Sequence, residues 1–141
     1  MNSNDTRQIL NGIFAQILEE FTFTFTETAL PEELPEPAGK CFSGKIEFDL
    51  PAKGVLSAAA PEELCAIFAA NMLGAEPSEQ SPELAADALK EILNVTCGKF
   101  TEQISSKSRM PTLSIPVAGE ITLKDWKNLL KAENTIPLII D

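Results

Sequence analysis

The chain has 141 residues, 44% hydrophobic and 23% charged, with 11 Lys and Arg against 21 Asp and Glu and a formal net charge of −10. This fits a single globular domain over residues 1–141 and argues against nucleic acid and membrane surfaces as partners, because phosphate-rich targets are bound through clustered positive charge. Histidine is absent, which removes imidazole bases, Ser-His and Cys-His triads and His metal sites.

Residues 5–20, DTRQILNGIFAQILEE, space Ile9, Leu10, Ile13, Phe14, Ile17 and Leu18 as one face of an amphipathic helix, with Gly12 a mild weakness. FTFTFTET then switches to a period of two. It predicts a half-buried strand with Phe21, Phe23 and Phe25 facing the core and the threonines facing outward. ALPEELPEPAGK, residues 29–40, holds three prolines and three glutamates and reads as a solvated connector. CFSGKIEFDL and GVLSAAA predict two strands joined by a turn around Pro51 to Gly54.

Pro61 opens a helix over EELCAIFAANML, and Gly74 closes it. Ser81 and Pro82 supply the cap and first turn of a longer helix over roughly residues 82–105. TLSIPVAG predicts a short strand. Thr122 and Asp125 predict a capping box for a short helix bearing Trp126, whose expected role is packing. TIPLIID ends the chain as a strand, with Pro137 placing it at an edge.

Strands and helices mix without strict alternation, so the expected fold class is α+β: a mainly antiparallel sheet with long helices on one face. Cys41, Cys65 and Cys97 are scattered, form no CxxC pair and read as buried thiols in a reducing compartment. No run of about 18 apolar residues predicts a membrane span, and the N-terminal residues lack the pattern of a secretory signal. The expected location is cytoplasmic.

The long helix carries the chemistry. In DALKEILNVTCGKF, residues 87–100, the apolar residues cover one broad arc. Asp87, Glu91, Asn94 and Gly98 fall together on the opposite stripe, at spacings of four, three and four that stack side chains turn upon turn. A solvated face is the plain alternative for such a stripe. Yet Asn94 and Gly98 together cost on the order of 1–1.5 kcal/mol in helix propensity, which a merely solvated face has no reason to spend.

This pattern, Asp87-x3-Glu91-x2-Asn94-x3-Gly98, resembles the signature of the CheC/CheX/FliY chemotaxis phosphatases: an Asp or Ser, then E-x-x-N on a long helix, with a proline a little over twenty residues on. Pro116 follows Asn94 by 22 positions. Glu91 is the one glutamate with an asparagine three residues later, so the chain is similar to the single-motif, CheX-like branch. The order of elements over residues 5–120 matches as well. Past the proline, relatives continue through a longer terminal hairpin, whereas this chain shows a Trp-bearing helix and one strand.

The resemblance implies a phosphatase acting on the phosphoaspartate of a CheY-like response regulator. Asn94 is then expected to orient the attacking water and Glu91 to pair with the regulator's active-site lysine, these two being the catalytic residues. Asp87 and Gly98 are expected to serve partner binding, Gly98 by allowing close approach. No cofactor of the chain's own is implied, since the Mg²⁺ is expected in the response regulator. CheX-like relatives form dimers, so a homodimer through the terminal strand is a further expectation. A non-catalytic response-regulator-binding or dimerisation module of the same fold is the alternative.

Overall fold

The computed structural model describes residues 2–105 and 109–140. Helix α1 (Ser3–Thr22) runs two residues further at each end than its periodicity predicts. The Asn2 side chain caps it, accepting from the Asp5 amide at 2.9 Å.

FTFTF does not form the predicted strand. The helix continues through Thr22, and Phe23 closes it in the left-handed region at φ 57°. Thr22 and Thr24 are buried, while Phe23 and Phe25 are 71% and 57% exposed and Phe21 is half-buried. The inversion has a local cause. Thr22 Oγ1 donates to Leu18 O at 2.6 Å, leaving the Thr24 hydroxyl to donate to Thr22 at 2.6 Å. The two threonines thus satisfy one another inside the protein, where an isolated hydroxyl would be costly. Asn71 Nδ2 donates to Thr22 O at 2.6 Å and fastens the same corner to a neighbouring helix.

Strand β1 (Thr26–Thr28) follows, and residues 29–40 form an exposed connector with one 3₁₀ turn at Pro31–Glu33. Strands β2 (Cys41–Phe48) and β3 (Gly54–Pro61) make the expected hairpin. Helix α2 (Glu62–Leu73) ends at Gly74, whose φ of 69° suits glycine. Helix α3 (Pro82–Ile104) starts where predicted, with Ser81 accepting from the Leu84 amide at 3.1 Å.

Strand β4 (Val117–Ile121) begins five residues later than TLSIPVAG suggests. Pro111 and Pro116 deny the earlier residues a continuous ladder, and Leu113 meets Phe48 in a single bridge instead. Helix α4 (Leu123–Lys131) opens on the predicted Thr122–Asp125 capping box. It buries no residue fully, and Trp126 is half-buried. A Glu36–Lys127 ion pair at 3.0 Å ties the acidic connector to it.

Strand β5 (Leu138–Ile140) pairs antiparallel with β1, Thr26 opposite Ile140. The strands therefore divide into a two-stranded ribbon and an antiparallel sheet of order β3-β2-β4. The α+β class stands, with α2 and α3 packed on the larger sheet and α1 packed on those two helices.

Helix α3 lies at the centre. Leu89 packs with Phe42, Ala60 and Cys65, and Leu93 and Cys97 pack with Ile46 of β2. Ala88 and Ile92 meet Ile17 and Leu18 of α1 and Phe68 of α2. One helix thus joins the sheet core to the helical core, which is why its apolar arc is broad. Cys41, Cys65 and Cys97 are buried free thiols. Burial pushes Cys65 up to about 12, helped by Cys41 and Glu62, and Cys97 up to about 11. Among the described residues no helix is long and apolar enough to cross a membrane.

Candidate functional site

The rotation of α3 about its own axis decides which residues face solvent, and one notch sets that rotation. Gly44, in the middle of β2, has no side chain, and Leu93 fills the space. A methyl group built on Gly44 would stand 2.6 Å from Leu93 Cδ1 and 3.3 Å from Val117 O. Glycine inside a strand marks such close approaches. With Leu93 seated there and Ile92 against α1 and α2, both 1% exposed or less, the next residue, Asn94, has only the outward direction left.

Asp87, Glu91 and Asn94 are all exposed and Gly98 is partly so, on a helix otherwise walled in by the sheet, α1 and α2. The predicted ladder is therefore present as one outward stripe. Among the described residues, neither Glu91 nor Asn94 has a side-chain hydrogen bond or ion pair. Asp87 differs: its Oδ1 takes an ion pair from Lys90 Nζ at 3.0 Å, one turn on. An exposed pair of this spacing is worth only about 0.2–0.5 kcal/mol, so Lys90 holds Asp87 weakly. The proximity of Lys90 was not read from the sequence, although its i,i+3 spacing from Asp87 was available.

Gly98 ends the stripe. A methyl group there would meet nothing closer than Leu113 Cδ1 at 4.0 Å, an ordinary contact. The chain's own packing therefore does not demand glycine at this position, and its bareness is offered to the outside. Leu113 beside it comes from the 112–114 segment, which sequence reasoning left out of the site.

A carboxylate and a primary amide, three residues apart on a rigid and solvent-facing ridge, offer an anion and a neutral donor–acceptor to an incoming partner. Among the described residues no group of three or more His, Cys, Asp or Glu side chains is placed to hold a metal ion.

The model of the chemotaxis phosphatase CheX family matches residues 42–125, from β2 into α4 and across the whole ladder. The chain belongs to that family. CheX-family structures share its fold at low identity. Chemotaxis protein CheX from Vibrio vulnificus is 20% identical, with a TM-score of 0.64 over 84% of this chain and 76% of that one. A CheC-like superfamily protein from Shewanella sp. PV-4 is 22% identical, with a TM-score of 0.65 over 86% and 82%. The CheX–CheY–BeF3–Mg²⁺ complex from Borrelia burgdorferi aligns at 15% identity and a TM-score of 0.61, over 94% and 85%. A search of curated proteins found no match.

Proposed function

We propose that the chain hydrolyses the phosphoaspartate of a CheY-like response regulator, using Asn94 to place the water and Glu91 to dock. The supporting observation is the pair itself: Glu91 and Asn94 stand exposed on a ridge whose buried face fixes its rotation. The family match runs across both residues, and a relative of the same fold is known in complex with CheY.

The chemistry asks little of the chain. An acyl phosphate is already activated, and its Mg²⁺ belongs to the response regulator. What remains is to hold a water in line with the scissile P–O bond. The Asn94 amide oxygen accepts from that water without the repulsion a carboxylate would meet beside a phosphoryl group. The water oxygen bonds to phosphorus, the aspartyl carboxylate departs with the P–O electron pair, and the proton leaves on inorganic phosphate or to solvent. Glu91, one turn earlier, pairs with the regulator's lysine and sets the depth of insertion. Gly98 admits the partner's backbone, and Asp87, tethered to Lys90, lies at the rim.

The test is the decay of acetyl-phosphate-charged response regulator. Wild type accelerates phosphate loss, Asn94→Ala returns it to the regulator's own rate with the fold unchanged, and Glu91→Ala weakens regulator binding as well as turnover. Removing one such positioning group costs about 10²-fold or more. Equal acceleration by wild type and Asn94→Ala would refute the assignment. Binding without acceleration by wild type would leave the chain a regulator-binding module.

A further inference from the structure

Docking on the ladder brings the carboxylates of Asp87 and Glu91 toward a phosphoaspartate, itself a multiply charged anion, beside an Mg²⁺ held by further carboxylates. A regulator lysine that pairs with Glu91 has less of its charge left for the phosphoryl oxygens. Positive charge from this chain would make up the difference, and a chain of net charge −10 has little to give. One lysine on α3 stands where it is needed.

An α-helix turns about 100° per residue. Lys90 precedes Asn94 by four positions and lies about 40° from it, whereas Glu91 lies about 60° away on the other side. Asn94 is therefore flanked by a cation and an anion from the same turn. Packing fixes which flank is which. Val95, on the Glu91 side, meets the core between α1 and α2, and Cys97, on the Lys90 side, packs with Ile46 and Leu113. Helical side chains lean toward the N-terminus, so the Asn94 amide reaches over the turn that carries Lys90 and Glu91. A phosphoryl group at that amide comes within the span of a lysine side chain.

In the free chain Lys90 is engaged elsewhere. Its Nζ lies 3.0 Å from Asp87 Oδ1, with the Lys90 side chain 36% exposed and that of Asp87 61% exposed. The lysine stem is thus largely covered while its ammonium sits in a weak, salt-screened pair. A phosphoryl oxygen is the stronger acceptor for an ammonium, so the exchange of partners is favourable.

We infer that Lys90 is a third residue of the reacting site: on docking, its ammonium leaves Asp87 for a non-bridging phosphoryl oxygen and steadies the charge as the P–O bond to the aspartyl carboxylate breaks. No bond forms to Lys90 and no proton passes to it; the water oxygen bonds to phosphorus and the carboxylate departs with the electron pair. Asp87 holds the ammonium beside the site until the partner arrives. This inference rests on the phosphatase reading and adds a cation to its amide and carboxylate.

The experiment follows phosphate loss from CheY-type response regulators of the same organism, charged with acetyl phosphate, over a range of regulator concentrations. It compares wild type, Lys90→Met, Lys90→Arg and Lys99→Met. Lys90→Met should lower kcat about tenfold or more with KM within about threefold, and Lys90→Arg should recover most of the loss. Lys99 is exposed on the same helix, about 140° around from Asn94. Lys99→Met removes the same charge and should leave kcat and KM unchanged. Wild-type kcat in Lys90→Met overturns the inference while leaving the Asn94 assignment intact. A rise in KM alone overturns it by confining Lys90 to docking, and an equal fall in kcat for Lys99→Met overturns it by making net charge the cause. A fall in kcat that Lys90→Arg does not reverse also overturns it, by tracing the loss to packing. Failure of wild type to accelerate any regulator overturns both readings.

Discussion

Leu93 and Asn94 are adjacent in the chain, and a step of about 100° around α3 turns one inward and the other outward. Leu93 is 1% exposed, wedged over Gly44 and packed with Ile46 and Cys97. Asn94 faces solvent with nothing of its own chain to bind among the described residues. The inward face is dense and interchangeable in chemistry but not in volume. The outward face is loose in packing, and its chemistry is specific. The inward face therefore governs whether the ridge exists and points correctly, and the outward face governs what the ridge does.

Substituting the two neighbours separates those roles. Asn94→Ala should abolish acceleration of phosphate loss without shifting the thermal midpoint, and it carries the largest expected effect on activity. Leu93→Ala should cost about 2–5 kcal/mol of stability, by lost transfer energy and the cavity left over Gly44. Chemical denaturation measures it, and the folded fraction should keep turning over phosphate. Gly44→Ala attacks the same contact from the sheet side. The added methyl would sit 2.6 Å from Leu93 Cδ1, and overpacking of this kind costs about 1–3 kcal/mol. If Gly44→Ala instead lowers turnover with stability unchanged, the helix has rolled to relieve the clash, and the two faces are more tightly coupled than proposed.

The sequence was most legible where several signals agreed. Helix α3 announced its start through Ser81 and Pro82 and its faces through more than twenty residues of unbroken periodicity, so the ladder could be projected correctly. The β2–β3 hairpin and both ends of α2 were legible for similar reasons, with Gly74 supplying the stop. FTFTF misled because a five-residue alternation does not say which face is buried. Size and hydrophobicity favoured the phenylalanines, and the structure chose the threonines because Leu18 O and their own hydroxyls satisfy them inside. The clamp between Ser114 and Glu47, 67 positions apart, was illegible for another reason. No local pattern encodes such a register. Gly44 left a trace that was not followed, since glycine in mid-strand signals close approach.

The smallest expected effect tests the inward face on its own terms. Thr96 is 1% exposed, and its Oγ1 has no hydrogen-bond partner. A buried hydroxyl in that state has lost its water without replacement, whereas an apolar group of similar shape carries no such penalty. Threonine and valine have similar helix propensities, so the exchange isolates the hydroxyl. Thr96→Val should raise stability by about 0.5–1.5 kcal/mol, read as a shift in denaturation midpoint at constant slope. Phosphate turnover should not change, because Thr96 points away from the ladder. A loss of stability would show that the hydroxyl is satisfied in solution, which would make the inward face of α3 chemically specific at this one position as well.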